Sequence, residues 1–213
     1  MRKLYLLFMI IIFFLYGFFL YQDFRLENEN SLIKYSIVLT VLIMTLIFFR
    51  NKVNYQYYLV GLLFIVGADY FLLFYRNETD VAVGIFLFLI AHLFYQRLYN
   101  KNDRFFCFYL AFITIILILP ISELLFRLGF IYACTLLINL ILSLTLFIKD
   151  KDYSHFLAAL AFVFLIICDI FILYSFFVGN LNQWIWLFYV PFLILLNLSV
   201  IKPFKKKTRF QFA

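Results

Sequence analysis

Apolar residues run along the chain in long blocks, separated by short polar segments. Eight such blocks cover residues 4–21, 31–49, 55–75, 80–99, 104–119, 123–148, 154–178 and 182–201. About 20 apolar residues in a helix span the roughly 30 Å hydrocarbon core of a bilayer. The blocks do not alternate apolar and polar residues as the strands of a membrane barrel do. Because lipid offers no partners to backbone groups, the blocks predict about eight transmembrane helices.

The composition supports the same interpretation. Of the 213 residues, 67% are hydrophobic and 14% are charged, whereas a soluble domain has about 45–50% apolar and about 25% charged residues. The prediction is an all-α integral membrane bundle, with residues 1–201 as a single transmembrane domain. All loops between the blocks are short, so any chemistry must take place within the bundle or at its rims.

The basic residues lie mostly on one side of the predicted bundle, and an excess of Lys and Arg marks cytoplasmic loops. The side with few basic residues holds Arg25, Lys34, Arg76 and Arg127. The other fourteen of the 18 basic residues are Arg2, Lys3, Arg50, Lys52, Arg97, Lys101, Arg104, Lys149, Lys151, Lys202, Lys205, Lys206, Lys207 and Arg209. We therefore expect both termini in the cytoplasm, the protein in the cell membrane, and residues 202–213 as a basic cytoplasmic tail.

The same distribution bears on partners and cofactors. The positive charge is spread over segments next to the membrane, so we expect the bilayer and its lipids as partners and no nucleic acid. The three cysteines lie in separate apolar blocks without C-x-x-C spacing, which fits neither a disulfide framework nor a zinc site. No metal or cofactor is expected. Aromatic residues near the block ends are typical of interfacial anchors: Tyr55, Tyr57, Tyr58, Tyr75, Tyr99, Trp184 and Trp186.

Few ionisable residues interrupt the apolar blocks. A charge at the bilayer centre costs at least about 2.5–3.5 kcal/mol on insertion scales, so such residues are candidates for function. They are Asp69, His92 and Asp169, with Lys34 near the outer end of the second block.

At helical periodicity each candidate shares a face with small residues, which mark helix contacts in membranes. Each is therefore predicted to point into the bundle. The three faces are Gly61, Ile65, Ala68 and Asp69; Ala158, Ala161, Cys168 and Asp169; and Gly84, Phe88, Ala91, His92 and Tyr95.

Two stretches around the aspartates match at an offset of 100 residues. Phe64–Leu73 and Phe164–Leu173 share Phe, Asp, Phe and Leu at equivalent positions. The helices concerned are four apart, which favours two parallel four-helix repeats; a chance match is the alternative. A repeat would place both carboxylates at equal depth around one cavity.

Two nearby carboxylates in a low dielectric do not both ionise readily. One can then donate a proton while its ionised partner stabilises a cation or activates water, as on glycosidic bonds. The alternative is a structural charge pair, in which Lys34 reaches Asp69 and His92 bonds to either aspartate. Asn139 is predicted to form an interhelical hydrogen bond.

These residues resemble motifs of the lysoplasmalogenase (YhhN-like) family. Gly67-Ala68-Asp69 after an apolar run looks like its Leu-Leu-Gly-Asp motif. The helix from Gly84 through Phe88 to Tyr95 looks like its Gly…Phe…Ala-His-Leu-Leu-Tyr helix. The other matched positions are Cys168-Asp169 for a Ser-Asp pair, Lys34 for an early lysine of the second helix, and Tyr189 in the last helix. The chain departs at Ala68, Cys168 and Leu193, where glycine, serine and often glutamine are found.

The resemblance implies hydrolysis of the vinyl ether bond of lysoplasmalogens, giving a fatty aldehyde and a glycerophospho-base. The chemistry of the residues is compatible with this reaction: we expect one of Asp69 and Asp169, without deciding which, to be the acid and the other to act as the carboxylate, and His92 and Tyr95 to orient an aspartate or the water. Lys34, Gly67, Ala68, Gly84, Phe88, Cys168 and Tyr189 are the supporting positions. Two other classes stay open: a small proton-coupled transporter using the same aspartates, and a non-catalytic lipid-binding protein.

Overall fold

The computed structural model describes residues 2–26, 30–48, 55–75, 77–100, 102–118, 123–179 and 181–201. This part of the chain forms eight α-helices and contains no strand. The helices are α1 (Arg2–Tyr21), α2 (Ser31–Phe48), α3 (Tyr55–Phe74), α4 (Glu78–Tyr99), α5 (Asp103–Ile118), α6 (Leu124–Asp150), α7 (Tyr153–Val178) and α8 (Asn182–Ile201). A π-helical turn, Gln22–Leu26, follows α1 directly. Each helix begins and ends within two residues of an apolar block.

Seven of these helices are long and apolar enough to cross a bilayer. The described part of the other helix, α5, has 16 residues, and residues 119–122 after it lie outside the described part of the chain. The predicted all-α, multi-pass membrane fold is confirmed.

The outer surface of the bundle is strongly apolar. Phe14 is 71% exposed, Phe108 79% and Phe177 86%, and dozens of other large apolar side chains also face outward. A soluble monomer rarely exposes apolar patches of that extent. In a bilayer the same side chains face lipid chains, so the surface suits a membrane protein.

Six helices form a closed ring in the order α2, α3, α4, α6, α7, α8 and back to α2, each contacting the next. Helices α1 and α5 lie outside the ring, α1 against α2 and α8, and α5 against α6. The contacts α1–α2, α2–α3, α3–α4 and α4–α6 recur four helices later as α5–α6, α6–α7, α7–α8 and α8–α2. This is the arrangement expected of two parallel four-helix repeats.

Two of the three faces predicted from small residues are buried throughout, and on the third Ala158, Ala161 and Cys168 are buried while Asp169 is half-buried. Gly61, Ile65, Ala68 and Asp69 are buried on α3, and the whole Gly84 to Tyr95 face is buried on α4. The two helices approach so closely that a Cβ on Gly84 would lie 2.7 Å from Leu72 Cγ. Small residues thus let these helices pack backbone to backbone, as membrane helices do.

Two of the predicted interfacial anchors are wrong. Tyr58 is buried and stacks on Tyr95 at 5.8 Å between ring centroids. Trp186 is also buried, and its ring lies 5.0 Å from that of Tyr189. Position along a helix sets the depth of a side chain, but helix rotation decides whether it faces lipid or the bundle.

The predicted basic tail, residues 202–213, lies outside the described residues, as do Arg50, Lys52, Arg76 and Lys101. The cytoplasmic placement of both termini stays a prediction.

Candidate active site

Asp69 lies on the buried face of α3, five residues before the helix ends. Its side chain is almost fully buried. Tyr189 of α8 donates a hydrogen bond from its Oη to Asp69 Oδ2 at 2.6 Å. That length is typical of a hydroxyl bonded to a carboxylate, so the contact is a strong link between α3 and α8.

Asp169 lies at the corresponding place on α7 and is half-buried. Tyr132 of α6 donates from its Oη to Asp169 Oδ2 at 3.0 Å. Each aspartate therefore has one tyrosine donor from a different helix. The bond to Asp169 is longer and less enclosed, so the two carboxylates have unequal surroundings.

A chain of aromatic rings joins the two pairs. The Phe88 ring lies 6.2 Å from Tyr189 and 6.4 Å from the His92 imidazole. The His92 ring lies 5.5 Å from Tyr132. Asp69 and Asp169 thus belong to one site in the interior of the ring of helices.

His92 occupies the middle of this site. It is fully buried, and neither ring nitrogen has a hydrogen-bond partner among the described residues. Five aromatic rings surround the imidazole: Phe88, Tyr95, Tyr132, Phe162 and Phe192. The alternative in which His92 bonds to an aspartate is wrong, since Tyr132 and Tyr189 take that place. A buried polar group is normally hydrogen-bonded, so both nitrogens are free to meet a bound molecule.

Tyr95 lies beside the imidazole, one helical turn further along α4. Its ring is 5.7 Å from His92, and its hydroxyl has no hydrogen-bond partner in the described part of the chain. It stacks on Tyr58 and packs against the backbone at Gly61, where any Cβ would collide with its ring. Neither Tyr95 nor His92 orients an aspartate by a direct hydrogen bond.

Lys34 is fully buried and forms an ion pair with Asp23 of the π-helical turn. The alternative that pairs it with Asp69 is therefore wrong. Its Nζ lies 5.5 Å from the centre of the Phe19 ring and 5.8 Å from that of Trp186. The Trp186 ring also packs on Tyr189, which is hydrogen-bonded to Asp69. Trp186 therefore lies between Lys34 and the aspartate site.

The remaining supporting residues are structural neighbours of the aspartates. Ala68 and Cys168 each precede an aspartate and are buried. Gly67 faces Leu87 of α4, which a Cβ at Gly67 would meet at an ordinary 3.5 Å. Gly84 sets the approach of α4 to α3.

The predicted bond of Asn139 is confirmed. Its Nδ2 donates to the backbone oxygen of His92 at 2.9 Å. Since this oxygen belongs to α4, the bond fixes α4 against α6 at the level of the imidazole.

Tyr132 and Asp23 were not predicted from the sequence. A usable signal existed for each. Tyr132 lies more than two turns inside the apolar helix α6, where a hydroxyl needs a partner. Asp23 lies eleven residues before Lys34 in the sequence, and a charge within a membrane helix needs a countercharge.

The arrangement suits acid and base chemistry on an apolar molecule. Two carboxylates face one interior region, each is oriented by a phenol, and an imidazole with free nitrogens lies between them. In the described part of the chain, no three His, Cys, Asp or Glu side chains are placed to hold a metal ion. The side chains that the site does bring together are carboxyl groups, phenols and an imidazole, all of which can exchange protons.

The comparisons with known proteins give one match. The model of the YhhN family matches residues 29–200, which covers α2 to α8 almost entirely and contains every predicted site residue. No curated protein matches the sequence. No solved structure matches it either.

Proposed function

The chain belongs to the YhhN family of lysoplasmalogenase-like membrane proteins, and on that premise we propose that it hydrolyses the vinyl ether bond of a lysoplasmalogen-type lysolipid in the cell membrane. The products are a fatty aldehyde and a glycerophospho-base. The observation that carries the proposal is the pair of intramembrane aspartates, each hydrogen-bonded by a tyrosine and joined through the rings around His92.

The reaction begins with a proton transfer to carbon. One aspartic acid gives its proton to the β-carbon of the vinyl ether, whose double bond supplies the electron pair. The α-carbon becomes an oxocarbenium ion, and the other carboxylate stabilises this cation. Such charge stabilisation is strong where water is excluded and the groups are held in place.

Water then adds to the α-carbon and loses a proton to a carboxylate, which leaves a hemiacetal. The hemiacetal collapses when its ether oxygen takes up that proton, its hydroxyl gives its own proton to the aspartate that began as the acid, and the carbon–oxygen bond breaks. Aldehyde and the alcohol of the glycerol backbone are released, and both aspartates return to their starting states. The sum is one vinyl ether and one water consumed, without a redox step.

The other residues have supporting roles in this scheme. Tyr189 and Tyr132 hold the two carboxylates through their hydroxyl groups. His92 lies between the pairs with both nitrogens free of protein partners in the described residues, a place from which it can hold the attacking water. The apolar rings around it suit the alkenyl chain of a lysolipid.

Aldehyde release by the purified protein tests the proposal. The substrate is a lysoplasmalogen, beside its saturated ether analogue, and the variants are Asp69→Asn and Asp169→Asn. Asp150→Asn, at an exposed helix end, is the matched control. We expect aldehyde from the vinyl ether alone, a loss of at least about a thousandfold in either site variant, and normal activity in the control. Full activity in a folded site variant would refute the assignment.

A second candidate is a proton-coupled transporter, favoured by the recurrence of helix contacts four helices apart. Parallel repeats are a known carrier architecture, and intramembrane carboxylates serve as proton relays. Aldehyde formation by protein in detergent excludes transport as the sole function. Lysolipid uptake driven by a proton gradient in vesicles, without aldehyde, favours it. Lipid binding with neither activity, unchanged in both Asn variants, indicates a non-catalytic role.

A further inference from the structure

The buried pair of Lys34 and Asp23 takes no part in the acid and base chemistry. Lys34 is fully buried, and the side chain of Asp23 is only 3% exposed. A buried ion pair recovers its desolvation cost only with good geometry and additional hydrogen bonds, and apolar replacements are often neutral or stabilising. Stability alone therefore does not account for this pair, and we considered a role in binding.

Among the described residues, the carboxylate of Asp23 has a single polar partner, the ammonium group of Lys34. Apart from the ion pair, neither of its oxygens has a hydrogen-bond donor among the described residues. Asp23 lies in a π-helical turn, Gln22–Leu26. Such segments are rare in proteins, and those that occur are often found at functional sites. By contrast Asp69 has a hydroxyl donor at 2.6 Å. In the described part of the chain, the Asp23 carboxylate thus relies on the lysine alone for a polar contact.

Lys34 presents an anion site rather than a closed pair. Its ammonium has three N–H donors, and its other described neighbours are the ring faces of Phe19 and Trp186. Lys34 also lies in the first turn of α2, where Asn30 Oδ1 accepts a hydrogen bond from the Ile33 N–H at 3.2 Å. The free N–H groups of a helix start favour negative charge.

The depth of the pair fits the head of a lysolipid. Lys34 is three residues from the start of α2, and Asp69 is five residues from the end of α3, at the same end of the bundle. At about 1.5 Å per residue their Cα atoms lie about 4.5 and 7.5 Å below that end. Helical side chains point toward the helix N-terminus, so Lys34 reaches toward the rim and Asp69 toward the interior.

Helix α8 connects the two levels. Trp186 packs beside Lys34, and one turn deeper Tyr189 bonds to Asp69. In a lysoplasmalogen the glycerol backbone separates the phosphate from the vinyl ether in the same order. A phosphate at Lys34 therefore places the vinyl ether below it, toward the carboxylates.

We propose that Lys34 binds the phosphate of the lysolipid and that Asp23 occupies this position until the phosphate displaces it. The proposal rests on the proposed function for the identity of the lipid, and it adds the group by which the lipid is recognised. A phosphodiester carries one negative charge, so it replaces the Asp23 carboxylate without changing the charge beside Lys34.

The test measures binding, not hydrolysis. The probes are a lysophospholipid with a saturated 1-O-hexadecyl ether and 1-O-hexadecylglycerol, which has the same chain and no phosphate. The chain has two tryptophans, so the Trp184→Phe variant leaves Trp186, beside Lys34, as the fluorescent reporter. In this background we compare Lys34→Met, Asp23→Asn and, as a control at an exposed lysine, Lys149→Met.

We expect the phosphate-bearing probe to bind at least about tenfold more tightly than the glycerol ether. Lys34→Met should abolish this preference by weakening the phosphate probe alone. Asp23→Asn should keep or strengthen the preference, because it removes the competing anion. Lys149→Met should behave as the parent protein. A double Asp23→Asn, Lys34→Met variant leaves no lone buried charge, so it reports on the site even where the single lysine variant fails to fold.

Three results overturn the proposal. One is an unchanged preference in Lys34→Met or in the double variant. Another is an equal loss of both probes in Lys34→Met and Asp23→Asn with a lowered melting temperature, which indicates a purely structural clamp between α1 and α2. The third is no fluorescence response to either probe. Since the saturated ethers are not cleaved, aldehyde release measured separately shows whether the proposed hydrolysis still stands.

Discussion

The hydrogen bond from Tyr189 to Asp69 provides a sharp test of how the carboxylate is held. Tyr189→Phe removes one oxygen atom and keeps the ring, which packs 5.0 Å from Trp186 and 5.8 Å from Phe192. Packing is therefore preserved, and the change isolates the 2.6 Å bond. The carboxylate keeps its burial and loses the donor that orients it.

The magnitude follows from the chemistry of that bond. A hydrogen bond to a charged group contributes about 1.5–3 kcal/mol, and each 1.36 kcal/mol is about a tenfold change in rate. We expect kcat/KM for aldehyde release to fall roughly ten- to hundredfold in Tyr189→Phe. Tyr70→Phe is the matched control. It removes the hydroxyl of the residue that follows Asp69 on α3, and that hydroxyl is hydrogen-bonded to the exposed Tyr75.

A double-mutant cycle separates this effect from general damage. If Tyr189 acts through Asp69, Tyr189→Phe should lower activity little or not at all in the Asp69→Asn background. Equal losses in both backgrounds, or wild-type activity in folded Tyr189→Phe, would show that the bond does not orient the reacting carboxylate. The apparent melting temperature in detergent, measured for all variants, confirms that the fold is intact.

Other substitutions test the rest of the site and its packing. Tyr132→Phe removes a longer, less enclosed bond, so kcat/KM should fall about tenfold or less. Gly84→Ala should lower stability by about 1–3 kcal/mol, because the new Cβ overlaps a leucine on the facing helix; Gly17→Ala, with nothing within 4 Å, should not. Asn139→Val should cost about 0.6 kcal/mol, a typical membrane hydrogen bond. Aldehyde release and the unfolding midpoint in denaturant measure these effects, and equal behaviour of the two glycine variants would contradict the close helix approach.

The helices could be predicted because their signal is local. Each is set by a block of apolar residues of membrane length, and lipid leaves the backbone no alternative to internal hydrogen bonds. The same reasoning located Asp69 and His92, since the cost of a charge in lipid requires them to face the bundle. These conclusions need only the residues of one helix.

Partners could not be predicted in the same way, because they depend on which helices touch. Tyr132 is one of 16 tyrosines, and only the packing of α6 against α7 places it on Asp169. Several acidic residues lie near Lys34 in the sequence. The π-helical turn after α1 places one of them, Asp23, in an ion pair with Lys34. Trp186 was predicted to face the membrane interface, but the orientation of α8 about its axis places it inside the bundle, in contact with Tyr189 and Lys34.

The repeat and the site together explain how two equivalent acids become different. A shift of four in helix number relates α3 to α7, and so relates Asp69 to Asp169. The same shift relates α4 to α8 and α2 to α6. The tyrosine donors come from α8 and α6, so the repeat does not relate them to each other. Asp69 is buried and accepts a hydrogen bond of 2.6 Å, whereas Asp169 is half-buried and accepts one of 3.0 Å. Vinyl ether hydrolysis needs one acid to hold a proton while the other is ionised, and unequal surroundings are what separate two carboxyl groups into such roles. In the proposed hydrolysis, the two acids come from the corresponding helices α3 and α7, and tyrosines from α8 and α6, which do not correspond, give the two acids different surroundings.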